Sequence, residues 1–267
     1  MRFFKYEGIG NDFIVIDGMK GDVSIDGALC KRMCDRNFGI GADGVLYVLP
    51  GQDGSDITMR IINSDGSEAI MCGNGIRCVA KYAYDNGLVK GTSFTVNTLR
   101  GNLGADVIVK DGKVDTVKID MGAPMPEKDY TVIDIDGVKV KGRKVSMGNP
   151  HYVVFDQLDK GQIDRFGPIL ESHKEFPDRT NVEFVTVKDG KINIRVYERG
   201  AAWTLACGTG ACATTTAAAM DGLVPFDVPV DVHLPGGWLK ITVDGEFRRV
   251  LMEGPARYVF QGEYQGE

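Results

Sequence analysis

The chain has 267 residues, which corresponds to one large domain or two modest ones. With 43% apolar and 25% charged residues, its composition is that of a globular protein and excludes a disordered or fibrous chain. The formal net charge of −6, with basic residues scattered along the chain, argues against a nucleic-acid partner and an anionic membrane surface. The 35 glycines, against a usual ~7% of residues, indicate many tight turns or close backbone approaches.

Two further features bear on the compartment. No apolar run reaches the ~18 residues of a membrane span, and the first residues carry charges where a signal peptide would be apolar. Six cysteines spread over this length do not resemble a disulfide scaffold, so they are expected to be free thiols of a reducing compartment. We therefore expect a cytoplasmic protein with no membrane partner.

The coarse pattern alternates strands and helices in chain order. After an opening strand, a helix is predicted near 25–36 and a second one from Gly73 to the stop signal Asn86-Gly87. A third helix is predicted near 162–174, and a fourth over the alanine-rich run that ends at Asp221-Gly222. Alternating segments predict strands at Val114–Asp120, Lys191–Tyr197 and Leu239–Val243, with hairpin turns at Asp111-Gly112, Asp136-Gly137, Asp189-Gly190 and Asp244-Gly245.

The chain also repeats itself. The tetrapeptides Cys72-Gly73-Asn74-Gly75 and Cys207-Gly208-Thr209-Gly210 are of the same kind and stand half a chain apart. A second echo aligns Gly10–Val15 with Gly148–Val153. These correspondences predict an α+β fold of two similar lobes, residues 1–117 and 118–267, in which the last strands are free to return to the first lobe.

The repeated cysteines are the strongest candidates for chemistry. A thiol just before a helix lies beside unsatisfied backbone N–H groups and the positive end of the helix dipole, which favours the thiolate and lowers its pKa. A lone cysteine is more often a core residue, which is how we interpret the cysteines inside predicted helices, Cys30, Cys34, Cys78 and Cys212. Two thiols at equivalent positions of a repeat, Cys72 and Cys207, favour catalysis instead.

Paired thiols suit inversion of a carbon centre. One thiolate would remove a proton from one face while the other thiol delivers a proton to the opposite face. A carbanion beside a carboxylate places charge on its oxygens, where the N–H groups of Gly73, Asn74, Gly208 and Thr209 could stabilise it without a cofactor. Disulfide exchange between the same two cysteines is the rival chemistry, but the chain lacks a C-x-x-C motif.

Other motifs predict no cofactor or metal. Gly39 to Gly44 fits G-x-G-x-x-G, but it follows a predicted helix and leads into a strand at Val45–Leu49, the reverse of a dinucleotide-binding turn. The three histidines are widely spaced, which predicts no metal cluster. His151, after a Gly-Asn-Pro turn, and Glu198, nine residues before Cys207, are candidates to poise the thiols. Recognition of amine and carboxylate groups is expected from Asn11, Asn63, Asn149, Asn181 and Arg199.

These residues resemble the diaminopimelate epimerase family over the whole chain. The most specific matches are Gly8–Phe13, Asn63–Glu68, Met71–Cys78, Gly148–His151 and Glu198–Gly200 continuing to Ala206–Ala211. The resemblance implies two pseudo-symmetric lobes, each a mostly antiparallel sheet wrapped round a central helix, and a homodimer. It implies interconversion of LL- and meso-diaminopimelate without a cofactor, with Cys72 and Cys207 as acid/base thiols and His151 and Glu198 as their neighbours. It implies a substrate site of Asn11, Asn63, Gly73, Asn74, Asn149, Asn181, Glu198, Arg199, Gly208 and Thr209.

The chain departs from the family pattern at two places. Gly44 stands where some members carry a substrate-contacting glutamine, and Trp203 follows Ala201-Ala202 where a smaller or polar residue is common. We expect Trp203 at the cleft rim and Arg199 as a buried guanidinium that grips the distal carboxylate. Two alternatives stay open: a related proline- or hydroxyproline-type racemase, and a non-catalytic amino-acid-binding module.

Overall fold

A computed structural model describes residues 1–21 and 23–266. The chain divides into two compact units: unit 1 is Met1–Asp120 with Glu253–Glu267, and unit 2 is Met121–Met252. The expected boundary between residues 117 and 118 thus lies three residues before the division that the structure shows. Unit 2 is continuous in sequence, whereas unit 1 is completed by the end of the chain.

Within the described residues, each unit has two helices. Unit 1 contains, in order, β1 (Arg2–Gly8), β2 (Asn11–Asp17), α1 (Gly27–Cys34), β3 (Gly44–Pro50), β4 (Ile57–Asn63), β5 (Glu68–Ala69), α2 (Gly73–Asp85), β6 (Ser93–Thr98), β7 (Gly101–Lys110) and β8 (Lys113–Asp120). Unit 2 contains β9 (Met125–Ile135), β10 (Val138–Ser146), β11 (Pro150–Val154), α3 (Lys160–Glu171), β12 (Asn181–Lys188), β13 (Lys191–Glu198), β14 (Ala202–Thr204), α4 (Gly208–Met220), β15 (Val230–Leu234) and β16 (Gly237–Val243). The chain ends with β17 (Val250–Pro255) and β18 (Arg257–Glu263).

The two units share one pairing scheme. In unit 1, β2 runs parallel to β3, β3 is antiparallel to β4, and β4 is parallel to β6. In unit 2, β11 runs parallel to β12, β12 is antiparallel to β13, and β13 is parallel to β15. The hairpins β6–β7, β7–β8, β9–β10 and β15–β16 are antiparallel. The α+β class with mostly antiparallel sheets is confirmed, and the sequence repeat corresponds to a repeat of topology.

A buried helix forms the centre of each unit. All of α2 from Gly73 to Ala83 is buried, and α4 is buried from Gly208 to Ala219 except at Thr209. Small side chains permit this burial in α4, where the hydroxyls of Thr215 and Thr216 donate to carbonyls one turn earlier. Strands pack on several sides of both helices, as the family resemblance implies.

Three of the four predicted hairpin turns are confirmed. Asp111, Asp136 and Asp189 have φ near +51°, and each is followed by a glycine with positive φ, the conformation of a two-residue type I′ turn. The turn at Asp244-Gly245 was predicted wrongly. There the chain makes a longer loop in which the N–H of Asp244 donates to the carbonyl of Arg249, and the positive φ falls on Phe247.

The helix bounds also refine the predictions. α3 begins at Lys160, before the predicted start at 162, because Asp159 and Gln162 form a reciprocal capping box. It ends at Glu171 rather than 174, and α1 ends at Cys34 inside the predicted range. In residues 1–21 and 23–266 no helix is both long and apolar enough to cross a membrane.

Close packing at Gly142, in β10, generates a stability prediction. A Cβ there would lie 2.6 Å from the ring of Tyr152 and 2.8 Å from the carbonyl oxygen of Val153, so Gly142→Ala should destabilise the chain by about 1–3 kcal/mol. Gly104, in β7, is the matched control because its Cβ would meet open space, and Gly104→Ala should be neutral or slightly stabilising. Thermal unfolding of both variants is the measurement. Equal midpoints would contradict the prediction.

Candidate functional site

In unit 1, polar residues gather at one edge of the sheet. Because β2 and β3 are parallel and β4 returns antiparallel, the start of β2, the start of β3 and the end of β4 lie at the same edge. Asn11 begins β2, Gly44 begins β3, and Asn63 ends β4 opposite Gly44. Cys72 reaches this edge, since its sulfur is 3.7 Å from Oδ1 of Asn11.

Cys72 is the N-cap residue of α2. Its backbone is extended, with φ −138° and ψ 120°, and its sulfur accepts the N–H of Gly75 at 3.5 Å. The sulfur thus satisfies one of the backbone donors that a helix start leaves without an intrahelical partner. Asn74 Nδ2 donates to Asn11 Oδ1 at 3.2 Å, so the two asparagines and the thiol form one cluster. The predicted placement of Cys72 at a helix start is confirmed.

A charged network that the sequence analysis missed holds Asn11. Asp43 Oδ2 accepts from Asn11 Nδ2 at 2.6 Å, and Arg36 donates to both Asp12 and Asp43. The buried Lys5 also pairs with Asp12 at 2.5 Å. Apart from Asp12, which follows Asn11 directly, these residues are separated in the chain and meet only in the folded structure, so their contacts cannot be read from a local motif. The network fixes the amide of Asn11, whose oxygen faces the sulfur of Cys72.

The two remaining unit 1 predictions have different outcomes. The side chain of Asn63 donates to Ser67 Oγ at 3.1 Å, within its own turn. At Gly44 a Cβ would lie 2.8 Å from the carbonyl oxygen of Ile62, so a side chain at this position would require the backbone to shift. The departure at Gly44 is therefore accompanied by a strand pairing that leaves no room for a larger residue.

Unit 2 gathers its polar residues at the corresponding edge. Asn149 precedes β11, Asn181 begins β12, and Glu198 ends β13. The pairing of His151 with Asn181 repeats the register found in unit 1 between Phe13 and Gly44. The predicted residues Asn149, His151, Glu198, Cys207 and Thr209 are brought together here.

Cys207 is the N-cap residue of α4 and is buried. Its sulfur accepts the N–H of Gly210 at 3.3 Å and lies 3.6 Å from the hydroxyl of Thr209. Burial raises the pKa of the Cys207 thiol well above its ordinary value, and the charges of Glu198 and Glu183 raise it further. The contacts with Thr209 and Gly210 lower the pKa, but by less than burial and the two carboxylates raise it. The expectation of a lowered thiol pKa is therefore wrong for Cys207, because loss of solvation outweighs the helix start.

Glu198 lies against the Cys207 thiol. Its carboxylate accepts hydrogen bonds from Thr204, at 2.5 Å, and from Cys207. Burial raises the pKa of Glu198, while the contact with Thr204 and the nearby His151 lower it. The structure thus places Glu198 where it can accept the proton of the sulfur.

His151 is buried and contacts a carboxylate that the sequence analysis missed. Its Nδ1 lies 2.7 Å from Glu183 Oε1, and its Nε2 lies 3.2 Å from Asn149 Oδ1. Asn149 Nδ2 in turn donates to Thr209 Oγ1 at 3.3 Å. Instead of touching the thiol directly, His151 reaches it through Asn149 and Thr209. Glu183 lies on a wholly buried strand segment, where the sequence pattern indicates only a core position.

Asn181 and Arg199 differ from the predictions. The amide of Asn181 is engaged by backbone groups: Nδ2 donates to the carbonyl of Pro150, and Oδ1 accepts the N–H of Arg199. Asn181 therefore shapes the loop that presents Arg199. Arg199 is exposed, and its guanidinium donates to the carbonyl of Asp178 at 3.1 Å. The prediction that this guanidinium is buried is therefore wrong.

The position of Trp203 also differs from the prediction. Its ring packs against Tyr197 and Phe184 with Arg195 over its face, and a Cβ on Gly167 of α3 would lie 2.9 Å from it. Trp203 thus belongs to the core between α3 and its strands rather than to a rim. The core assignment of the other cysteines is confirmed: Cys30, Cys34, Cys78 and Cys212 are buried, and burial raises the pKa of Cys34 to about 12.

In the part of the chain that the structure describes, no three His, Cys, Asp or Glu side chains are grouped so as to hold a metal ion.

A family model described as "Diaminopimelate epimerase" matches residues 3–126 and 143–259. The chain belongs to the diaminopimelate epimerase family. A diaminopimelate epimerase of Pelotomaculum thermopropionicum is 45% identical over 99% of both chains. One of Methanococcus maripaludis is 41% identical over 98% of this chain and 99% of its own.

Solved structures of lower identity share the fold. A hydroxyproline epimerase from Agrobacterium vitis, with bound trans-4-hydroxy-L-proline, gives a TM-score of 0.76 at 16% identity, covering 99% of this chain and 90% of its own. A phenazine biosynthesis protein of the PhzF family from Bacillus anthracis gives 0.75 at 18% identity, covering 99% and 98%. The family membership makes this chain an isomerase, and the structural likeness supports the α+β class.

The contact between Glu198 and Cys207 predicts a pH effect. Removing the carboxylate charge in Glu198→Gln should lower the pKa of the Cys207 thiol, because the thiolate no longer faces a negative group. The midpoint of Cys207 alkylation by iodoacetamide should move to lower pH, as measured by mass spectrometry of the cysteine peptides. Glu175→Gln is the control, since Glu175 pairs with Lys144 at the surface. An unchanged midpoint in Glu198→Gln would refute this assignment.

Proposed function

We propose that this chain interconverts LL- and meso-diaminopimelate by proton transfer at the α carbon, with Cys72 and Cys207 as the two acid/base thiols. The observation that carries the proposal is that both cysteines are N-caps of buried helices at equivalent places of a repeated topology. Membership of the diaminopimelate epimerase family and the names of the relatives support the substrate.

The reaction needs one thiolate and one thiol at the start. The thiolate takes the α proton, the C–H electron pair remains on carbon and spreads into the carboxylate, and the second thiol gives its proton to the opposite face. The two sulfurs exchange protonation states, so the next turnover can run in reverse. Because burial and two carboxylates favour the protonated form of Cys207, we assign Cys207 as the resting proton donor and Cys72 as the resting base.

Helix starts supply charge stabilisation. Sulfur accepts the third N–H of each helix, from Gly75 and Gly210, while Gly73, Asn74, Gly208 and Thr209 lie in the turn before it. Backbone N–H groups in this turn point away from the helix toward its N-terminal end. We propose that these N–H groups donate hydrogen bonds to the substrate carboxylate, whose oxygens gain negative charge as the α proton leaves.

Supporting side chains fall into two groups. His151 and Glu198 are assigned to poise the Cys207 thiol, the first through Asn149 and Thr209 and the second by direct contact. Asn11 lies against Cys72 in unit 1. We assign the substrate's polar groups to Asn11, Asn63, Asn74, Asn149, Glu198, Arg199 and Thr209. Asn181 is assigned to shape the loop that presents Arg199, because its amide is engaged by backbone groups.

Deuterium incorporation tests the reaction. LL-diaminopimelate incubated with the reduced chain in deuterated water should yield meso-diaminopimelate that carries deuterium at the inverted carbon, as followed by NMR. Cys72→Ala and Cys207→Ala should each lower kcat by at least about a thousandfold, because each removes one of two proton-transfer groups. Cys212→Ala, a buried thiol in the interior of α4, is the control and should retain turnover.

Two outcomes would reject the proposal. A wild-type chain that binds diaminopimelate without turnover would be an amino-acid-binding module. A chain that inverts proline or hydroxyproline but leaves diaminopimelate unchanged would be a related racemase.

Arg199 generates a prediction on substrate choice. A guanidinium suits bidentate recognition of a carboxylate, and Arg199 is presented on the surface by Asn181. Arg199→Met should lower kcat/KM for diaminopimelate by about tenfold to a hundredfold, the worth of a charged hydrogen bond. The trace reaction with lysine, which lacks the distal carboxylate, should change much less. Equal losses on both substrates would show that Arg199 supports the fold or the thiols instead.

We further propose a cytoplasmic homodimer. The six cysteines are free thiols, as is usual in a reducing compartment. Strand β18 presents Tyr258, Val259 and Phe260 with 44–52% of each residue exposed, an apolar edge that a second copy would cover. Sedimentation of the purified chain would test the dimer.

A further inference from the structure

The buried pair of His151 and Glu183 has no counterpart in unit 1. Glu183 stands opposite Val153 in the β11–β12 pairing, and the same register position in unit 1, opposite Val15, is occupied by Leu46. His151 likewise corresponds to Phe13, since the two stand opposite Asn181 and Gly44. Unit 2 therefore carries a histidine and a carboxylate where the same fold in unit 1 is built from two apolar side chains.

The helix starts confirm this equivalence independently. A Cβ on Gly75 would lie 3.0 Å from Leu46, and a Cβ on Gly210 would lie 2.8 Å from Glu183 Oε1. Leu46 and Glu183 thus occupy the same place beside their N-capping cysteines. The sulfur of Cys207 lies 3.1 Å from the same Cβ position on Gly210, so sulfur and carboxylate oxygen are less than about 6 Å apart.

Structural need does not account for the charged pair. Both side chains are wholly buried, and Oε2 of Glu183 has no hydrogen-bond partner in the described structure. Burying a carboxylate with one oxygen unsatisfied costs stability, and apolar replacements for buried ion pairs are often neutral or stabilising. Phe13 and Leu46 show that this fold accepts the apolar solution at this place. An effect of the pair on its surroundings therefore explains it better than a contribution to stability does.

We propose that Glu183 is a positioning residue for the proton of Cys207: its carboxylate fixes the ring of His151 and keeps a negative charge beside the sulfur. The inference rests on the proposed function, in which Cys207 is the resting donor. Oε1 holds Nδ1 of His151, and Nε2 then points at Asn149 and, through it, at Thr209 beside the sulfur. Unit 1 has no equivalent pair, so the two thiols of the repeat are made unequal.

The electrostatic surroundings of Cys207 are consistent with this role. Its facing titratable groups are Glu198 at the end of β13, Glu183 on β12 and His151 on β11, while Arg143 and Asp221 form an ion pair at the far end of α4. The charge of Glu183 is among the causes that raise the pKa of the Cys207 thiol. Asp221 lies roughly 20 Å from the helix start, the length of thirteen helical residues.

Alkylation of Cys207 across a pH series tests the proposal in the full-length chain. Glu183→Gln should increase the rate of Cys207 carbamidomethylation by iodoacetamide about tenfold at a fixed pH below the midpoint, equivalent to a shift of about one pH unit. Glu183→Asp keeps the charge but withdraws the oxygens from His151, so its midpoint should stay near that of the wild type while kcat falls. Asp221→Asn is the matched control and should leave the midpoint unchanged. Peptide mass spectrometry separates Cys207 from Cys72 without a further substitution.

Activity gives the second readout. The alkaline limb of kcat/KM for diaminopimelate should move to lower pH in Glu183→Gln by the same amount as the alkylation midpoint, with little change in KM. Should that single variant fail to fold, His151→Phe/Glu183→Leu copies the apolar pair of unit 1. It should unfold at or above the wild-type temperature and still show the shifted Cys207 midpoint.

Alkylation profiles of Glu183→Gln, or of the double variant, that superimpose on the wild type would overturn the proposal, as would a shift in the opposite direction. Because alkylation needs no turnover, it decides on Glu183 independently of the reaction. Absence of epimerisation by the wild type would reject the proposed function alone.

Discussion

Both units depend on burying the start of a helix, which is costly unless its first N–H groups find acceptors. A cysteine sulfur meets part of that need at each start, accepting from Gly75 in α2 and from Gly210 in α4. Glycine leaves room at these positions, because a Cβ on Gly75 would press on the side chain of Leu46 and one on Gly210 on Glu183 and the sulfur of Cys207. In each unit the same packing brings the thiol to the edge of that unit's own sheet where an asparagine lies.

Burial and the helix dipole act on the thiols in opposite directions. A helix start favours the thiolate, but an apolar interior and nearby carboxylates favour the neutral thiol. At Cys207 burial and the carboxylates outweigh the helix start, because the sulfur is almost wholly buried and Glu198 is in contact with it. The proposed two-base reaction requires one protonated sulfur, and this balance supplies it. The repeat places one thiol at the start of a buried helix in each unit. The residues that differ between the two units give the two thiols different surroundings.

Local signals predicted much of the fold and part of the site. The conformation of an Asp-Gly turn, or of a helix that begins at a glycine, is set by residues adjacent in sequence. The Asp111-Gly112 turn and the starts of α2 and α4 could therefore be predicted from the sequence. Glu183 could not, because a carboxylate inside a buried strand becomes informative only when its partner from β11 is known. Arg199 and Trp203 were misplaced for a related reason: exposure and packing are set by tertiary neighbours. The Asp244 loop shows the limit of turn signals, since the chain has room there for a longer connection.

The ends of the chain meet in unit 1. Strand β18 pairs with β1 from Arg2 opposite Glu263 onward, and the amino group of Met1 donates to the carbonyl of Tyr264 at 2.7 Å. During synthesis on a ribosome, unit 2 therefore has its whole sequence available before unit 1 does, although residues 1–120 of unit 1 precede it in the chain. Unit 1 must keep its strand β1 unpaired on one side until β18 has been synthesised. Linking the end of β18 to the start of β1 and opening the chain at the Asp136-Gly137 turn would give unit 1 an uninterrupted sequence and reverse that order of assembly.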